Sequence, residues 1–151
     1  MELMIFSLAL MVGYLIYVRL RFGMTHSISA TYYEIKNKWL FTIVLWGFSI
    51  PLMIVSAKPL MFLAGAAICF TGAAPGVDKK MERRVHVGSS VAGIAIGTIA
   101  LWVYYGLWWV VGIQLAFTGI AMIFQTKNHT YYIELLAVIL IWASIYLNEV
   151  V

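Results

Sequence analysis

Polar and apolar positions along this chain fall into blocks. Six stretches, 3–18, 40–57, 60–77, 85–104, 107–124 and 133–147, are almost free of charge, and polar residues gather between them. A helix crosses the hydrocarbon core of a bilayer with about 20 apolar residues, in a range of about 17–25. Each block is therefore expected to be a membrane-spanning helix, with the short first and last blocks recruiting flanking residues. Spanning β-strands would alternate apolar and polar side chains over about ten residues. These runs are apolar on every face, so the expected fold is an all-α, polytopic transmembrane bundle of six spans. One connection, about residues 19–39, is long; the others are short turns, so residues 1–151 form a single transmembrane domain.

Composition agrees with the pattern. The 151 residues are 64% hydrophobic and 11% charged, against about 45–50% and about 25% in a soluble domain. This excludes a water-soluble enzyme, a disordered chain and a nucleic-acid-binding domain, and leaves membrane lipids as the standing partner. The one cysteine, Cys69, permits no intramolecular disulfide. A signal peptide would carry a basic start and a small-residue cleavage site. Here Glu2 is acidic and Arg19 and Arg21 follow the apolar run, so the first helix is expected to be retained.

Charge then sets an orientation, because Lys and Arg in short loops stay in the cytoplasm. Arg19, Arg21, Lys36 and Lys38 follow the first span; Lys79, Lys80, Arg83 and Arg84 follow the third; Lys127 follows the fifth. Lys58 alone lies on the other side. Both termini are therefore expected outside, in a multi-pass protein of the cell (inner) membrane. Trp102, Tyr104, Tyr105, Trp108 and Trp109 crowd the outer turn between spans four and five, where amphipathic rings suit the headgroup layer. Gly93 and Gly97 form a GxxxG spacing that lets backbones approach closely. It serves either the centre of the bundle or a homo-oligomer face, and Pro51 is expected to kink the second span.

The remaining polar chemistry gathers at the cytoplasmic face: His26, His86, His129, Glu34, Asp78, Glu82 and Glu134. If the fourth helix begins near Asp78, then Asp78, Glu82, His86 and Ser90 recur every four residues on one face. Glu82 and His86 at that spacing could share a metal ion, whereas Asp78 and Glu82 also suit the positive end of the helix dipole. Thr31 and Glu34 fit a capping box, while His26, Ser27 and Ser29 just before it have no such explanation. Glu134 falls inside the sixth span, where a carboxylate should face the bundle and find a partner. Gln114 reads as an interhelical hydrogen bond. Three imidazoles and a carboxylate, His26, His86, His129 and Asp78, are a sufficient ligand set for a catalytic zinc with an activated water. Glu134, Glu82 and Ser27 are then the candidates for acid, base or nucleophile.

Two resemblances follow from these residues. Ser27, Ser29, Asp78, His86 and His129 at one membrane face resemble the arrangement in alkaline ceramidase-like membrane hydrolases. In that superfamily a serine, an aspartate and histidines hold zinc and cleave an amide in a lipid. Those proteins have seven spans and an HxxxH pair in the last, neither of which occurs here. The run S-I-S-x-T-Y-Y at 27–33, with 72–75 and Val85-His86, also resembles a group of small six-span bacterial and phage-borne membrane proteins, which implies no activity. Two functions stay open: a metal-dependent lipid hydrolase, or a non-catalytic small transporter, channel or partner subunit. A holin-like lysis factor suits the size, but the chain lacks a strongly charged cytoplasmic tail.

Overall fold

The computed structural model describes residues 1–73, 79–124 and 128–150, with side chains from residue 81 onward after the first gap. Among them are seven helices and no strand: α1 Glu2–Phe22, α2 Thr31–Glu34, α3 Lys38–Ser56, α4 Pro59–Ala73, α5 Lys79–Tyr105, α6 Trp108–Phe124 and α7 His129–Glu149. Four of them, α1, α3, α5 and α7, are long and apolar enough to cross a membrane; α4 and α6 are apolar but shorter. Both α1 and α7 extend beyond their apolar blocks, because a run of 15 or 16 residues is too short to span. Residues 74–77 of the third expected span lie outside the described residues.

Local chemistry sets the ends. Gly23 closes α1 at φ 78°, and Ala57 closes α3 in the left-handed region at φ 48°. The Asn37 side chain accepts the Trp39 amide to start α3, and Pro59 opens α4 at a position where no amide donor is needed. Pro51 lies within α3, which is continuous past it. The expected capping box is not formed. Ala30 is the N-cap of α2 with no side-chain bond, because the Thr31 hydroxyl donates to the Ile28 carbonyl at 2.6 Å instead.

Packing departs from that of a soluble domain at the surface. Ser7, Thr42, Ser49, Ser56, Thr71 and Ser144 are buried, while Ile43, Phe62, Phe70, Val91, Leu115 and Ile123 stand exposed. Exposed apolar area on this scale has no place in water, and a lipid solvent removes the difficulty. Several inward hydroxyls bond a carbonyl of their own helix, as where Ser49 donates to the Leu45 carbonyl at 2.7 Å; Thr42 donates across to the Gly72 carbonyl of α4 at 2.6 Å, and Ser7 and Ser56 have no partner among the described residues. A stripe of Met4, Met11, Tyr14 and Val18 on α1 meets Phe41, Val44 and Phe48 of α3 in the core.

Gly93 and Gly97 carry the tightest approach on α5. A Cβ on Gly93 would lie 2.8 Å from Ile68 and 3.2 Å from the Ala64 carbonyl of α4. One on Gly97 would lie 2.8 Å from Ile141 of α7. The GxxxG face is thus covered by α4 and α7 within the chain. Gln114 of α6 donates to the Ile133 carbonyl of α7 at 3.3 Å, the interhelical bond expected of it. The Trp142 indole donates to the Met4 carbonyl, and Lys58 pairs with Glu149 at 3.8 Å. Both chain ends therefore gather at one end of the bundle, and the 23–37 connection lies at the other.

Candidate functional site

The connection after α1 folds back into the bundle. Ser27, Ile28, Thr31, Tyr32 and Ile35 are all buried, so residues 24–37 form an inserted segment and not a surface loop. Its own hydroxyls shape it. Thr25 Oγ1 donates to the Ser27 carbonyl at 2.9 Å, and Ser27 Oγ accepts the Ala30 amide at 2.8 Å. Because the Thr31 hydroxyl proton goes to Ile28, it is the Tyr14 hydroxyl of α1 that donates to Thr31 Oγ1, at 2.5 Å.

Ser29 joins this segment to two helices. Its amide donates to Glu134 Oε2 at 2.9 Å and its hydroxyl to Glu134 Oε1 at 2.7 Å. Its carbonyl lies 3.0 Å from His86 Nε2. A carbonyl only accepts, so Nε2 carries the proton. Ser27 Oγ is 3.1 Å from Ser29 Oγ; with the Ser29 proton given to Glu134, Ser27 is the donor. One residue thus links α5, α7 and the segment, and the Tyr131 amide adds a bond to the His26 carbonyl at 3.0 Å.

His86 is 1% exposed. Its ring stacks on Tyr32 at 5.2 Å and lies 5.6 Å from Phe41, with Tyr33 edge-on at 5.7 Å. Nδ1 has no hydrogen-bond partner among the described residues. The Tyr32 hydroxyl donates to Glu82 at 2.5 Å. Burial, and then that bond, hold the Tyr32 phenol above its ordinary range, so it remains a donor well into alkaline solution. The Lys38 ammonium sits over the Tyr32 ring, 3.7 Å from its centroid, and also donates to the Tyr32 carbonyl.

Behind the segment lies a cavity of about 60 Å³. Its wall is almost wholly apolar, with Met11, Phe41, Leu45 and Ile94 among the lining residues, and Ser29, Glu134, Thr71 and Ser90 also border it.

Among the described residues, the histidines expected to act together fall into two groups. His26 and His129 meet edge to face at 5.7 Å; His86 sits apart in its aromatic box; Asp78 lies outside the described residues. Glu82 is engaged by Tyr32, Glu134 by Ser29, and Ser27 by Ser29 and Ala30. Among the described residues no three His, Cys, Asp or Glu side chains are arranged to hold a metal ion. Sequence reasoning missed Tyr14, Tyr32 and Lys38 as parts of the site. The signal for Tyr14 was its place in the stripe Met4, Ser7, Met11, Tyr14, Val18, spaced three and four apart. No family model, curated protein or solved structure matches this chain.

Proposed function

We propose that the chain is a six-span protein of the cell membrane, with both termini outside, acting as a small non-catalytic carrier or channel for protons or small cations. In this reading α4 and α6 cross with α1, α3, α5 and α7, and the basic connections face the cytoplasm. Residues 24–37 are its cytoplasmic plug. One observation carries the reading: Glu134, a carboxylate within an apolar helix, is held by the uncharged Ser29 and lines the cavity behind the plug. An ionisable group at such depth marks an ion or proton pathway by default. Protonating it, or replacing it, takes the charged acceptor away from the Ser29 amide and hydroxyl, which loosens the plug. His26 is the ionisable side chain whose charge acts on Glu134, and with His129 it stands where a proton would enter.

Proteoliposomes carrying a pH-sensitive dye test this. Protein-dependent proton flux above that of empty vesicles is expected, and Glu134→Gln should raise it several-fold by unlatching the plug. Leak equal to empty vesicles in both proteins would overturn the carrier or channel reading.

The metal-dependent lipid hydrolase is the second reading, favoured by the contact between the His26 and His129 rings. It needs a further ligand to join them. Elemental analysis of protein purified without chelators or a histidine tag should then find near-stoichiometric zinc that is lost in His129→Ala. A folded, zinc-free preparation removes this reading.

A further inference from the structure

On the outside of the bundle, two grooves between α1 and α3 join end to end. The first, about 430 Å³, lies beside the end of α1 and contains Arg21, Glu34 and Lys36 with Tyr17 and Leu40. The second, about 300 Å³, runs on along the helices past Gly13, Tyr14 and Val44, and it shares Tyr17 and Leu40 with the first. The first groove is charged; the second is lined by apolar residues except for the two tyrosines. We propose that this continuous groove binds one glycerophospholipid with a primary-amine headgroup, of the phosphatidylethanolamine type. The phosphate lies between Arg21 and Lys36, the ammonium on Glu34, and an acyl chain along Gly13 and Val44.

Charge complementarity argues for this occupant. The Arg21, Glu34 and Lys36 side chains have no hydrogen bond or ion pair among the described residues, although the three share one groove; the salt bridge among those residues, Lys58 with Glu149, is at the other end of the bundle. Two cations and one carboxylate match a headgroup carrying a phosphate and an ammonium. A purely anionic headgroup would leave Glu34 against its charge, and a trimethylated one cannot donate a hydrogen bond to it.

Length argues the same way. From Arg21 to Ala9, the far end of the second groove, α1 rises about 18 Å at 1.5 Å per residue. That is close to half of a hydrocarbon core about 30 Å thick, the depth of one leaflet. Gly13 keeps the path open, since a Cβ there would meet nothing within 4 Å. Basic pockets between spans are known settings for headgroups. The site requires that the chain lie in a bilayer, but not that it conduct anything.

Native mass spectrometry of delipidated protein, titrated separately with phosphatidylethanolamine, phosphatidylcholine and phosphatidylglycerol, tests the proposal. The ethanolamine lipid should bind about three- to fivefold more tightly than either other lipid, the size an exposed ion pair supports. Glu34→Gln should erase that preference while leaving the phosphate contribution. Gly13→Leu, which fills the groove without touching a charge, should weaken all three lipids. Both substitutions are at positions without a protein partner, so thermal unfolding should match the wild type and exclude misfolding as the cause. Equal binding of the three lipids, a preference for the choline or glycerol lipid, or a Gly13→Leu protein that binds like wild type would each overturn it.

Discussion

At the scale of single residues, Ser29 does what its neighbours do not: it uses amide, hydroxyl and carbonyl at once, each toward a different atom. Ser29→Ala removes the hydroxyl donor from the Glu134 carboxylate. A hydrogen bond to a charged group contributes about 1.5–3 kcal/mol, so unfolding in detergent should report a loss of that order. Ser27→Ala removes a neutral bond and should cost about 0.5–1.5 kcal/mol. If the two variants lose equal stability, Ser29 is not the joint described above. The sequence marked Ser27, Ser29 and Glu134 as unusual but could not pair them. Ser29 reaches His86 and Glu134 across 57 and 105 residues, and no local spacing encodes contacts that distant. Glu34 misled for the opposite reason: a local capping pattern was present, but Thr31 had a better acceptor in Ile28.

Among the elements, the helices were the most legible part of the chain, because an apolar run of the right length has few other structures open to it. Their limits were less so. The apolar block of α5 opens at Val85, and it was the polar stripe from Asp78 that pointed to a start near Lys79, where the first stretch carries Glu82 to Tyr32. The inserted segment was read as a connection because its apolar residues, Ile28, Tyr32 and Ile35, are few and interrupted by polar ones. Packing between α4 and α5 gives a paired expectation. Gly93→Ala forces a methyl against Ile68 and the Ala64 carbonyl and should destabilise by about 1–3 kcal/mol. Gly88→Ala meets nothing within 4 Å and should be neutral or stabilising by up to about 1 kcal/mol through helix propensity. Thermal unfolding of the two proteins side by side decides it; equal midpoints would mean that α4 and α5 do not approach as closely as described.

The whole molecule is organised by its solvent. Large apolar side chains line the outside as well as the core, hydroxyls are buried among them, and each end of the bundle has its own closure. Glu149, Lys58 and Tyr105 meet at one end, and the 24–37 segment sits at the other. The proposed orientation gives an expected labelling pattern in intact cells with Cys69 replaced by serine. A membrane-impermeant maleimide should modify Lys58→Cys from outside and leave Lys36→Cys untouched until the cells are opened. The reverse pattern would invert the topology and move the plug to the outer face.

The bond between Ser29 and Glu134 also fixes an order of assembly. Residue 29 leaves the ribosome 105 positions ahead of its partner. At about 5–20 residues per second, this is a wait of roughly 5–20 s. At its start only α1 precedes the segment, and α3 and α5 are added during it, but no Glu134 carboxylate is there to hold the Ser29 amide and hydroxyl. Helix α7, made after α1 to α6, is therefore the one that completes the first connection, and a chain stopped before α7 would carry the segment into the membrane unsecured. Quality control that samples nascent membrane proteins would meet this chain open until α7 is in place.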